Sequence, residues 1–121
     1  SRSKSHRKLL NESELLKRLK KYNFKIYHFE NLSLLNQINI TRKSKILIGY
    51  QGSNLANCIF LKKNNHLIDI FHPKINNPVI KIQCDMLGIK YHPNQCLKSL
   101  ENLDGYCDID KIEKIVTKII N

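Results

Sequence analysis

The sequence predicts an α/β fold built on a parallel sheet. Three observations lead there. Amphipathic stretches of about ten residues alternate with short apolar runs, the signature of βαβ units. Two runs, Ile46-Leu47-Ile48 and Leu67 to Phe71, are apolar almost without interruption, unlike the in-out alternation of a half-solvated sheet. Gly, Pro and paired Asn residues punctuate the segments.

Taken in order, Asn11 is placed to cap a first helix with Leu15, Leu16 and Leu19 as its apolar stripe. Lys17, Arg18, Lys20 and Lys21 fall outside that stripe, and Tyr22-Asn23 ends the helix. Lys25 to Phe29 reads as a strand. Ser33 caps a second helix whose inward positions are Leu34, Leu35, Ile38 and Arg42. Lys45 to Gly49 is the clearest strand, read as central and buried on both faces. Tyr50 to Asn54 is a turn, and Leu55 to Leu61 a short helix broken by Asn64-Asn65. His66 to Phe71 is another buried strand, and Pro73 and Pro78 bracket a loop. A helix from Val79 to Leu87 stops at Gly88, where a left-handed cap suits glycine. Ile89 to Tyr91 is a last short strand. Asp108 caps a final helix with Ile109, Ile112, Val116, Ile119 and Ile120 inward. The opening helix lacks the strand that should precede it, so a strand upstream of Ser1 is expected.

Composition narrows the function. At 121 residues the chain is one domain at most. Its hydrophobic content of 41% excludes a disordered tail. No apolar run approaches the ~20 residues of a membrane-spanning helix, and the first residues do not resemble a secretory leader. The net charge of +11 suggests an anionic partner. That charge is uneven: residues 1–25 hold nine Lys/Arg and two Glu, whereas residues 99–121 hold three Lys and five acids. Cys58, Cys84, Cys96 and Cys107 form no CxxC pair and no zinc-ligand spacing. A Cys96–Cys107 disulfide and buried free thiols both fit the sequence.

Ligands of open α/β sheets bind beyond the carboxyl ends of the strands. That rule selects Ser1 to Lys8, Glu30-Asn31, Tyr50 to Asn54, Phe71 to Pro73 and Tyr91 to Pro93, with His72 and His92 at strand ends. Gly49 and Gly52 flank Tyr50-Gln51, and Ser53 or Asn54 can cap the next helix, whose free amides suit a phosphate. Arg2 and Arg7, with Lys4 and His6, offer cationic donors to phosphate oxygens. Glu30 stands where a nucleotide-binding fold places an acid on ribose hydroxyls. A plain capped turn, a solvated basic tail and a loop acid are the bland readings of the same three features. His72 and His92, each before a Pro, are read as surface or packing residues.

Together these residues resemble glycosyltransferase family 61. Ser1-Arg2, Arg7 and Asn11-Glu12 look like its S-R-x(n)-R-x-x-x-N-E stretch. Phe29-Glu30, Leu32-Ser33 and Gln37 look like its F-E-x-L-S-x-x-x-Q stretch. Ile46 to Phe60, ILIGYQGSNLANCIF, is similar to its strand, G-x-H-G-A and L-x-N-x-x-F. The resemblance implies a Rossmann-like parallel sheet with helices on both faces, the C-terminal half of a GT-B-like fold. It makes residues 1–121 a nucleotide-sugar-binding domain, separate from an N-terminal acceptor domain. The implied activity is glycosyl transfer from a nucleotide-sugar, a UDP-sugar, to a glycan or protein acceptor. No metal cofactor, nucleic acid or membrane contact is implied. Arg2 and Arg7 would meet the diphosphate, Glu30 the ribose, and Gln51, Gly52, Ser53 and Asn54 would line the phosphate end. Gln37 and Asn57 look like scaffold for that loop. Gln51 stands where the family usually has His, so it is the candidate catalytic position. Gln donates a hydrogen bond but does not carry a proton near neutral pH.

Two other readings remain. One is a basic α/β module that binds nucleic acid through its Lys-rich first helix, with Tyr22, Phe24 and Tyr27 as the nearby aromatics. The other is a non-catalytic relative serving as an interaction domain.

Overall fold

The computed structural model describes residues 8–51, 53–75 and 77–121, with the backbone alone for residues 53–56. Within them the fold is α/β. Strands β1 (Ile46–Tyr50), β2 (His66–Phe71) and β3 (Lys90–Gln95) form a parallel sheet in that order. Ile46 pairs with His66, and His66 with Lys90, which sets the register of both ladders. A short antiparallel pair, β4 (Lys98–Ser99) and β5 (Gly105–Tyr106), follows. The sequence reading did not anticipate it.

Helices cover both faces, as a parallel sheet requires. On one face α1 (Glu12–Leu19) and α4 (Ile109–Ile120) pack Leu15, Leu19, Ile112 and Val116 against Ile68 and Ile70. On the other face Leu67 meets Cys58 and Leu61, from the 3-10 helix Ser53–Phe60 and its end, together with Ile80 and Cys84 of α3 (Pro78–Leu87). The buried central strand is therefore β2, not β1. Every residue of β1 is only half-buried, because among the described residues no strand pairs with its outer edge.

That open edge explains the largest correction. Residues 25–28 form no strand, and Phe29–Asn31 is a 3-10 turn. An extended segment becomes a strand only through a ladder, and none is formed here. Ile26 and Tyr27 are exposed as a result.

The caps divide similarly. Ser33 accepts from the Asn36 amide, Asn77 from Val79, and Asp108 from Lys111. Gly88 adopts φ +72° at the end of α3, as expected. Asn11 makes no cap hydrogen bond. Its side chain instead clamps Cys107, donating to the carbonyl and accepting from the amide, both at 3.0 Å. In α2 (Leu34–Lys43), Leu34 and Leu35 face solvent and Thr41 is buried, opposite to the predicted stripe. Ile120 is likewise exposed rather than inward. All four cysteines are buried free thiols, so no Cys96–Cys107 disulfide is present.

The charge asymmetry resolves inside the molecule. Basic α1 packs against acidic α4: Arg18 pairs with Asp110 at 2.8 Å and Glu113 at 3.1 Å, and Lys21 with Glu113 at 2.8 Å. Tyr22 donates to the same Glu113, and these partners hold its carboxyl down at about 2. Part of the basic surface that suggested an external anion is thus neutralised by the chain's own last helix.

Lys8 to Leu10 are seated at the carboxyl end of the sheet. Lys8 N–H donates to Asp104 Oδ1, Leu10 N–H to the Gly105 carbonyl, and Gly105 N–H to the Lys8 carbonyl. A methyl group on Gly105 would come within 2.8 Å of Cys96 Sγ and 3.2 Å of Tyr50 Oη. Gly105→Ala is therefore expected to lower stability by about 1–3 kcal/mol through overpacking, read as a drop in denaturation midpoint at unchanged slope.

Candidate active site

Of the predicted site residues the structure describes Glu30 and Gln51 with their side chains, and their supports can be traced residue by residue. β1 ends at Tyr50, and Gln51 N–H continues the pairing by donating to the Ile70 carbonyl at 2.7 Å. A 3-10 helix begins at Ser53. The predicted short helix Leu55–Leu61 is a 3-10 helix that starts two residues earlier and ends one residue earlier. Arg2, Arg7 and Gly52 lie outside the described residues, and the side chains of Ser53 and Asn54 are likewise not described.

Glu30 lies exposed in the turn Phe29–Asn31, rather than at a strand end. What fixes this turn is Gln37. Its Nε2 donates to the carbonyls of Phe29 at 2.8 Å and Leu32 at 3.0 Å, while its Oε1 accepts from Asn57 Nδ2 at 2.7 Å. Phe29 itself is buried. One amide therefore ties the Glu30 turn, α2 and the 3-10 helix together. Helical periodicity alone reads Gln37 as solvent-facing, whereas the motif resemblance reads it as scaffold, and the geometry is that of scaffold. Removing its three hydrogen bonds in Gln37→Ala should cost about 1–3 kcal/mol. Hydrogen exchange should rise at residues 29–32 before the sheet opens.

Gln51 is buried, at 3% exposure. Its Nε2 donates to Asp69 Oδ2 at 2.9 Å, and its Oε1 accepts from the Asn77 amide at 2.8 Å. Asp69 is fully buried at the middle of β2 and also accepts from the Tyr91 hydroxyl at 2.6 Å. Its Oδ1 has no hydrogen-bond partner among the described residues. Burial pushes the Asp69 carboxyl up, against the two hydrogen bonds that lower it, and burial beside Asp69 raises the Tyr91 hydroxyl too. Sequence reasoning missed Asp69. A lone acid inside the apolar run Leu67 to Phe71 was the available signal, because a carboxylate is rarely buried without partners.

His72 is buried and packs structurally. Its Nε2 lies 2.8 Å from the Leu100 carbonyl, and its Nδ1 accepts from the Lys74 amide. His92 is not at a strand end, since β3 runs on through Pro93 to Gln95. Among the described residues no three His, Cys, Asp or Glu side chains gather in a group that could hold a metal ion. No described helix is long and apolar enough to cross a membrane.

A family model described as Glycosyltransferase 61 matches residues 1–68, which contain the Glu30 turn, the Gln37 tie and the loop after β1. The chain belongs to glycosyltransferase family 61. It is 33% identical over 94 residues to the EGF domain-specific O-linked N-acetylglucosamine transferase of Drosophila melanogaster, covering 75% of this chain and 18% of that protein. The Bos taurus and Rattus norvegicus proteins of the same name are each 36% identical over 66 residues, 50% of this chain and 12% of theirs. The chain thus spans less than a fifth of the length of these relatives.

Proposed function

We propose that this chain is the donor-binding part of a glycosyltransferase with a GT-B-like fold, holding a UDP-sugar at the carboxyl rim of its sheet. The observation that carries the reading is the Gln37 tie. It joins the Glu30 turn to Asn57 of the 3-10 helix Ser53–Phe60, which supports a site shared by Glu30 and the start of that helix.

In this reading Glu30 accepts hydrogen bonds from the ribose hydroxyls. Arg2, Arg7 and the amides opening the 3-10 helix stabilise the leaving diphosphate during displacement at the anomeric carbon. Transfer to a glycan or protein acceptor takes place in the longer protein, and this chain alone binds donor weakly. Gln51 has both ends of its amide engaged by Asp69 and Asn77, so its part is to hold the loop after β1 against the loop after β2.

The nucleic-acid reading loses its footing at α1. Arg18 and Lys21 are paired to α4, and Tyr22 and Phe24 pack against the core. The test of the donor site uses Glu30→Gln. Wild type should favour UDP over its 2′-deoxy analogue, and the variant should lose about tenfold of that preference, the worth of a hydrogen bond to a charged acceptor. Equal preference in the two proteins would contradict the ribose contact.

A further inference from the structure

At the other end of the sheet, away from the rim, four basic side chains gather around one hollow. His66 opens β2, and its register partner Lys90 opens β3. His92 is two residues along on the same face as Lys90. The last turns of α4 close the space with Ile115, Lys118 and Ile119. The cavity measures about 420 Å³, within the roughly 300–1,000 Å³ of small-molecule pockets.

The two imidazoles are joined. His66 Nδ1 and His92 Nε2 are 3.0 Å apart, with ring centroids 5.2 Å apart and planes 19° from parallel. Nitrogens that close, in rings nearly parallel, place the rings edge to edge rather than face over face. A single hydrogen lies between them, and the outer nitrogens, His66 Nε2 and His92 Nδ1, have no partner among the described residues. One added proton on an outer nitrogen leaves the shared hydrogen bond intact, whereas two would break it. Lys90 and Lys118 make no ion pair among the described residues, and no carboxylate lines the cavity.

We propose that this hollow binds a sulfate or phosphate monoester. Lys90, Lys118 and one imidazolium of the His66–His92 pair meet the oxyanion, and Ile115 and Ile119 pack against its organic body. The volume and the isoleucine walls argue for an ester over a bare ion. The charged groups that bear on the pair are Lys45 at the foot of β1, Lys90 of β3 and Lys118 of α4, all cationic. Burial first, then Lys90, and at His66 also His92 and Lys45, hold both imidazoles below their ordinary range, so the empty pair is neutral near pH 7. An anion that arrives with a proton is therefore bound more tightly as pH falls. The site is at the opposite end of the strands from the proposed donor contacts, so its fate is independent of theirs.

The experiment titrates the chain with phenyl sulfate and with inorganic sulfate, whose charges stay fixed from pH 5.5 to 8, at constant ionic strength. Imidazole and amide NMR signals report binding. The expected result is saturable shifts at His66, His92 and residues 115–119, at least tenfold weaker at pH 8 than at pH 5.5. Phenyl sulfate should bind more tightly than inorganic sulfate. The double variant Lys90→Gln, Lys118→Gln should lose at least tenfold in affinity while keeping the parent spectrum elsewhere. Shifts that do not saturate, that ignore pH, or that survive in the double variant would overturn the site. Equal affinity for the two sulfates would overturn the ester.

Discussion

Asp69→Ala is expected to be among the most damaging substitutions in the protein. The side chain is fully buried and accepts from Gln51 and Tyr91. Removing it leaves the buried Gln51 amide and the half-buried Tyr91 hydroxyl unpaired and a void in the central strand, a loss of about 3–5 kcal/mol. A domain with only about 5–15 kcal/mol of stability will then be near its limit. Asp69→Asn keeps the shape and an acceptor, and should lose much less. The pH dependence has a definite sign. The folded-state pKa of Asp69 is raised, so its protonated form is favoured in the fold. The stability tied to it is complete below the unfolded value near 3.8 and declines as pH rises through the folded value. Denaturation curves across pH should show that decline in wild type and a flatter profile in Asp69→Asn.

Gln51→Ala is expected to follow closely. It removes the partner of Asp69 and leaves the Asn77 amide without its acceptor, costing about 2–4 kcal/mol. Gln51→His, which restores the residue usual in the family, should keep most of the stability, because an imidazole N–H can still donate to Asp69. The effects of Asp69→Ala and Gln51→Ala should not add, since both break one network. A double variant that loses less than the sum of the two single losses would show this in denaturant melts. A Gln51→Ala protein as stable as wild type would mean that the loops after β1 and β2 are held by other contacts.

How far the fold was readable depended on how local each signal is. Ser33, Asp108 and Gly88 act within one turn of their own helix, and each behaves as its type dictates. Leu67 to Phe71 reads as a buried strand because both of its neighbours in the sheet are present. Lys25 to Phe29 has equally strand-like residues, but strand formation is decided by a partner, and periodicity is silent on partners. The stripe of α2 misled for a related reason. Thr41 and Gln37 take the inward face because their polar groups bond the local backbone, and Leu34 and Leu35 are left outside. Asn11 was placed at the right helix start but given the wrong task, since Cys107 lies 96 residues away in sequence.

The candidate site was legible as motif spacing more than as chemistry. Gln37 and Asn57 were picked out together only through the family-61 pattern, and they meet at 2.7 Å. Asp69 escaped because its partners, Gln51 and Tyr91, are 18 and 22 residues away on other elements.

The most direct test of the donor-site account is UDP binding to the 121-residue chain, followed by amide NMR and calorimetry over a salt series. The account predicts saturable binding with shifts confined to residues 2–8, 29–32 and 51–57, and a shallow dependence on salt. Binding that spreads over the exposed lysines of α1, weakens steeply with salt and shows no preference for UDP over single-stranded RNA would contradict it.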